Sequence, residues 1–167
     1  MALSKQKISP CLWFDGKAEE AAEFYVSIFP NSRTVHTSHY GEAGKEQHRQ
    51  KPGTVMTVAF ELDGQSFLGL NGGPMFKLTE AVSFIIYCAT QAEVDHYWNA
   101  LTADGGQPSQ CGWLKDKFGL SWQVTPTKLL DMVTSDDKAK SGRAMGAMMT
   151  MKKIDIAGIE AAYEGRA

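Results

Sequence analysis

Residues 112–126 read GWLKDKFGLSWQVTP, and their pattern decides the fold. They predict a strand, a tight turn at Asp116–Lys117 and a second strand. Trp113, Phe118 and Trp122 carry too much aromatic surface to leave in water, about 150–250 Å² each. Ser121 and Gln123 alternate with Leu120, Trp122 and Val124, so one face is polar and the other apolar. Such a two-faced hairpin, ending at Pro126, is either an ordinary core hairpin or one wall of a curved sheet around a pocket.

Upstream of it, Val82–Cys88 (VSFIIYC) reads as a buried strand. Thr90 and Glu93 form a capping box. It opens a helix to about Ala103, with Val94, Tyr97, Trp98 and Leu101 facing inward. Gly105–Gly106 marks a turn, and a short strand follows at 107–110. The order is strand, helix, three strands.

The first half repeats this order. Ile8–Phe14 (ISPCLWF) reads as a strand broken by Asp15–Gly16, with Asp15 the expected helix cap. A helix follows over 17–29, with Ala18, Ala21, Ala22, Tyr25, Ile28 and Phe29 inward and Glu19, Glu20 and Glu23 outward. Pro30 ends it. Arg33–Tyr40 reads as a strand and 41–53 as a polar, mobile loop. Strands at Thr54–Leu62 and Gln65–Leu70 are joined by Asp63–Gly64, a strong hairpin signal. A two-residue loop pairs Leu62 with Gln65, Phe60 with Phe67 and Val58 with Gly69. It puts Asn71 on that face and Glu61 opposite, beside Ser66 and Leu68. Shifting the chain so that Ile8 falls on Val82 also puts Ser9 on Ser83, Leu12 on Ile86, Trp13 on Tyr87 and Phe24 on Trp98.

The expected fold is therefore α+β: one domain over 1–167 whose two βαβββ modules, 8–71 and 82–125, join edge to edge in a curved mixed sheet. A helical tail covers 126–167, with Thr125 as cap and Pro126 in the first helical position. Leu129, Leu130 and Val133 give its first apolar side, 138–151 a second helix rich in methionine, and a third starts after Asp155. Met145, Met148, Met149 and Met151 suit adaptable packing or a subunit interface.

Composition narrows the function. The 167 residues are 43% hydrophobic and 22% charged, ordinary for a soluble globular protein. A net charge of −2 with scattered basic residues argues against a nucleic-acid surface. No apolar run approaches the roughly 18 residues of a membrane span. The start, MALSKQKISP, lacks a signal-peptide core. Cys11, Cys88 and Cys111 are odd in number and widely spaced, as reduced thiols of a cytoplasmic protein would be.

Two βαβββ modules resemble the vicinal oxygen chelate (glyoxalase/bleomycin resistance/dioxygenase) architecture. Within it the chain resembles the PhnB-like group, often labelled 3-demethylubiquinone-9 3-methyltransferase. The resemblance rests on Ile8–Phe14 with the AEEAAEFY helix, on FLGLNGGP (Phe67–Pro74), on GWLKDKFGLSWQVTP and on AMMTMKKIDI (Ala147–Ile156). It implies a small-molecule partner and a homodimer.

Metal-dependent members of the superfamily place His or Glu on the first and last strands of each module. Here those positions fall near Ser9 or Pro10, near Leu70 or Asn71, at Ser83 and at Gln123. Neutral side chains of this kind are poor ligands for Zn²⁺, Ni²⁺ or Fe²⁺, so no metal and no cofactor is expected. His36 and His39, three apart in a strand, point to opposite faces unless a bulge intervenes. The glycine run Gly69–Gly73 is followed by Pro74, with no room for the helix that a nucleotide-like methyl donor needs. Lys115 and Asp116 at the hairpin tip read as a solvated turn or as a polar rim. Trp13, Trp113 and Trp122 suit either the core or a ligand platform.

The leading expectation is a binding protein with a cup lined by Trp13, Phe60, Phe67, Asn71, Ser83, Trp113, Trp122 and Gln123, holding a partly aromatic ligand. The alternative is an enzyme (a lyase, an isomerase or the labelled methyltransferase) acting on a carbonyl or quinone-like substrate. It would use Glu61 as base or a metal bound elsewhere.

Overall fold

In each half of the chain the first strand is followed by a helix and pairs in parallel with the strand three later. The computed structural model describes residues 6–166, and the chain divides into two units, Met1–Leu78 and Thr79–Ala167. The first contains β1 (Cys11–Phe14), α1 (Ala18–Ile28), β2 (Arg33–His39), the single-turn α2 (Lys45–His48), β3 (Val55–Leu62) and β4 (Gln65–Asn71). Its sheet runs β1-β4-β3-β2, with β1 parallel to β4. The second contains β5 (Ser83–Cys88), α3 (Gln91–Thr102), β6 (Gln107–Pro108), β7 (Trp113–Lys115) and β8 (Ser121–Pro126). Its sheet runs β5-β8-β7-β6, with β5 parallel to β8. The internal repeat is thus a repeat of topology. The α+β class and the glyoxalase/bleomycin-resistance fold follow from it.

The first hairpin has the expected register: Leu62 opposite Gln65, Phe60 opposite Phe67 and Val58 opposite Gly69. Asp63 and Gly64 both take positive φ, 45° and 81°, as a two-residue hairpin turn requires. Gly69 shows which face carries α1. A Cβ there would lie 3.1 Å from the Ala18 Cβ, so helix and strand approach closely only because both residues are small. On the same face Tyr25 stacks on Phe60 at 6.2 Å and Phe60 on Phe67 at 5.4 Å. Burying Phe60 contributes about 1.5–3 kcal/mol. Strand alternation leaves Trp13, Glu61, Ser66, Leu68 and Leu70 on the open face, the one that α1 does not cover.

The second sheet sorts the same way. Ile86, Cys88, Leu114, Trp122 and Val124 are buried on the side where Val94, Trp98 and Leu101 of α3 pack, whereas Ile85 and Tyr87 are 45% and 61% exposed. Beyond it, α4 (Thr127–Val133), α5 (Lys138–Met149) and α6 (Ile156–Tyr163) enclose Leu129, Ala144, Ile154 and Ile159. Met148 and Met151 pack against this cluster, while Met145 and Met149 are exposed. Gln91 latches the tail to α3: its Oε1 accepts from Ile156 N at 2.9 Å and its Nε2 donates to Ile154 O at 3.1 Å.

Several local expectations change. Strand β1 starts at Cys11; Ile8 is 86% exposed, and Pro10 has no N–H to give a ladder. Asp15 does not cap α1. Gly16 turns the chain at φ 72°, Lys17 takes the cap position without a side-chain bond, and Asn71 Oδ1 accepts from Ala18 N at 2.9 Å instead. Thr125 is held in β8 opposite Tyr87, so Pro126 becomes the cap residue of α4. The 41–53 loop contains α2, and Tyr40 packs on His48. No helix of the described residues is long and apolar enough to cross a membrane.

The cysteines are free thiols. Burial, with a smaller contribution from Glu93, pushes the Cys88 thiol up to about 12, and burial also raises Cys11. Cys88 therefore stays protonated and unreactive at neutral pH. With Ellman's reagent at pH 8, two thiols are expected to react in the native protein and the third only on unfolding. Immediate reaction of all three would contradict this burial.

Candidate functional site

The β7–β8 hairpin is held from inside by Asp116. This residue is only 3% exposed. Its Oδ1 accepts from Phe118 N at 2.9 Å and Leu120 N at 3.1 Å, and its Oδ2 accepts from Trp122 Nε1 at 2.8 Å. The carboxylate is neither a solvated turn residue nor a polar rim. It ties the turn backbone to the indole on the helix side, and so fixes which residues β7 and β8 present on the other side.

Those are the polar ones. On the open face Trp113 lies opposite Gln123, Lys115 opposite Ser121, and Ser83 opposite Ser121. Gln123 Nε2 donates to Ser83 Oγ at 2.9 Å. A cleft of about 230 Å³ opens here, lined by Glu80, Gln107, Ser109, Trp113, Lys115 and Ser121 among others. Lys115 Nζ is ion-paired with Glu80, and that ammonium holds the Glu80 carboxyl below its usual range. Both partners are accessible, with side chains 35% and 61% exposed.

Ser121 has no solvent exposure, and its Oγ has no hydrogen-bond partner among the described residues. An unpaired buried hydroxyl costs about 1–3 kcal/mol, and native proteins keep few of them. Another cleft, of about 350 Å³, lies among Thr90, Gln91, Lys128, Asp155 and Glu160. There the polar groups are already engaged: Thr90 and Asp155 cap helices, Gln91 latches the tail, and Lys128 pairs with Glu160. The cleft over Ser121 is the better candidate.

Of the residues expected to line a cup, the structure brings together Ser83, Trp113 and Gln123. Phe60, Phe67 and Asn71 lie on the α1 side of their sheet, because the Gly69–Ala18 contact fixes the helix to that face. Trp122 lies on the α3 side, 3% exposed, because its neighbours Ser121 and Gln123 occupy the other face. These four are internal packing. Trp13 is on the open face of the first sheet, but its indole is committed. Nε1 donates to Gly73 O at 2.7 Å, Phe76 meets the ring edge-on at 4.9 Å, and a Cβ at Gly72 would lie 2.2 Å from the ring.

Glu61 also faces the open side, bonded to Arg33 Nε at 2.9 Å. His36 and His39 are exposed on β2, at the sheet's edge. Among the described residues no three His, Cys, Asp or Glu side chains gather as a metal site. Sequence reasoning passed over Glu80, Gln107 and Ser109. Nothing in their local pattern sets them apart from ordinary polar surface residues.

Comparison with known proteins gives the lineage. The family model described as 3-demethylubiquinone-9 3-methyltransferase matches residues 6–125. A Bacillus cereus PhnB protein, described as a putative 3-demethylubiquinone-9 3-methyltransferase, is 38% identical over 73% of this chain and all of its own, with a TM-score of 0.64. Protein PA1353 from Pseudomonas aeruginosa is 19% identical over 73% of this chain and 98% of its own, TM-score 0.57. The fosfomycin resistance protein FosX from Listeria monocytogenes is 15% identical over 78% of this chain and 98% of its own, TM-score 0.52. The last two share the fold alone. No curated protein matches the chain. With the family model covering both βαβββ modules and the PhnB protein aligned end to end, the chain belongs to the PhnB-like 3-demethylubiquinone-9 3-methyltransferase family, on the glyoxalase/bleomycin-resistance fold.

Proposed function

We propose that the protein binds a compact, partly aromatic molecule in the cleft on the open face of the second sheet, as a binding module and not through a metal centre. The observation that carries this reading is the unpartnered Ser121 hydroxyl on the wall of a cleft that also holds an indole and a lysine. Trp113 offers a flat apolar surface, and Ser83 with Gln123 supplies further polar groups beside it. At about 230 Å³ the cleft lies below the roughly 300–1,000 Å³ of pockets for drug-sized ligands, which favours a small one.

The family description names a methyltransferase, which would need a site for a nucleotide-like methyl donor such as S-adenosylmethionine. The residues present do not fit one. Gly72 and Gly73 are packed against Trp13, with Gly73 O already accepting from its indole, and no helix intervenes before β5. Glu61 is ion-paired with Arg33 at 2.9 Å, outside the cleft over Ser121.

The test is a thermal-shift screen of compact aromatic compounds. A ligand at about 100 times its Kd stabilises by about 2.7 kcal/mol, a rise of roughly 5–10 °C for a chain of this size. The shift should vanish in Trp113→Leu. A broad screen with no hit, or a shift that survives this substitution, would overturn the reading.

A further inference from the structure

Resting on that reading, we propose that the ligand is a compact aromatic carboxylate, and that Glu80 is a resident counter-ion which the ligand's carboxylate displaces from Lys115. Three observations carry this. First, the ammonium of Lys115 already pairs with a carboxylate at the edge of the cleft. Second, the carboxylate it holds is easily exchanged. Glu80 lies outside the sheet, on the segment before β5, with its side chain 61% exposed, and accessible ion pairs of this kind hold weakly. Third, the groups around Lys115 suit the rest of such a ligand. Ser121, its register partner, lines the cleft with a buried hydroxyl that has no hydrogen-bond partner among the described residues, and Trp113, two residues away on the same face, offers a ring to stack on. Glu80 alone satisfies the lysine but leaves the Ser121 hydroxyl without a partner. A ligand carboxylate entering the cleft can serve both.

The same geometry gives the two ends of the ion pair opposite roles. Lys115 attracts the ligand, and Glu80 competes with it. Removing the lysine should weaken binding, while neutralising the glutamate should strengthen it. A gain of affinity cannot come from misfolding, so the second variant protects the test against a merely damaged first one.

The experiment is calorimetric titration of the full chain with benzoate and with its neutral isostere benzamide, in the wild type, Lys115→Met and Glu80→Gln. Benzoate is expected to bind at least tenfold more tightly than benzamide. Lys115→Met should weaken benzoate at least tenfold and benzamide less than twofold, and Glu80→Gln should tighten benzoate about three- to tenfold. Equal binding of the two probes, or no gain in Glu80→Gln, overturns the carboxylate proposal while leaving a small-molecule site at Trp113 standing. No binding of benzoate overturns it as well. If the wider thermal-shift screen is also empty, the binding reading falls with it.

Discussion

Replacing Asp116 with alanine is expected to lower the unfolding free energy by about 3–5 kcal/mol, because it strips three donors of their acceptor at once. Two are backbone N–H groups of the turn, Phe118 and Leu120, and one is the Trp122 indole N–H. The turn cannot recruit a substitute from its own backbone. Asp116 N and O already bond Leu120 O at 2.9 Å and Gly119 N at 2.9 Å. Trp122 is 3% exposed, so water does not reach it without opening the hairpin. Asp116→Asn keeps one oxygen but must turn an NH₂ toward a donor at the other position. It should lose about 1.5–3 kcal/mol and so fall between the wild type and alanine. Urea denaturation with unchanged slope m reads the difference. A loss below about 1 kcal/mol for the alanine variant would mean that the carboxylate does not organise the turn. Because this hairpin also carries Trp113, Lys115 and Ser121, the alanine variant should lose ligand binding together with stability.

The same hairpin shows how far the sequence could be read. Its two-faced pattern was legible, since Ser121 and Gln123 alternate with large apolar residues and the structure puts them on opposite faces. Strand parity then forbids Trp122 from lining the same face as Gln123. Aromatic mass suggested a ligand platform, but the indole has its own buried partner in Asp116. In the first module the register was legible from Asp63–Gly64 alone, and so was the opposition of Glu61 to Asn71. Which of the two faces carries the helix was not. Phe60 and Phe67 on one face and Leu68, Leu70 and Trp13 on the other are equally apolar. The deciding signal is the smallness of Gly69 and Ala18, which lets helix and strand touch. That is a contact between elements, and no periodicity encodes it. Glu80 escaped for the same reason: an ion pair between a loop residue and a strand exists only once the chain has closed.

Asn71 is where that distinction has its largest consequence in the first unit. The carried-over superfamily positions allowed either Leu70 or Asn71 as the residue of the cup. The structure turns Asn71 into a structural link, and the residue is only 7% exposed. Oδ1 accepts from Ala18 N at 2.9 Å, and Nδ2 donates to Val55 O at 3.1 Å. The residue thus supplies from β4 the helix cap that Asp15 and Lys17 do not, and it ties β3 to the same point. Asn71→Ala should cost about 2–3 kcal/mol: loss of a cap is worth roughly 1 kcal/mol, and a second buried group is left unpaired. Asn71→Asp separates the two roles. It keeps the acceptor at the helix start, where the helix dipole favours an anion by about 0.3–1 kcal/mol. It also loses the donor and sets a carboxylate oxygen against Val55 O. The lost bond and the repulsion outweigh the dipole, so Asn71→Asp should fall between the wild type and Asn71→Ala. Chemical denaturation of the two variants checks the order. If both were as stable as the wild type, Asn71 would hold neither α1 nor β3, and a role for it in ligand binding would return to consideration.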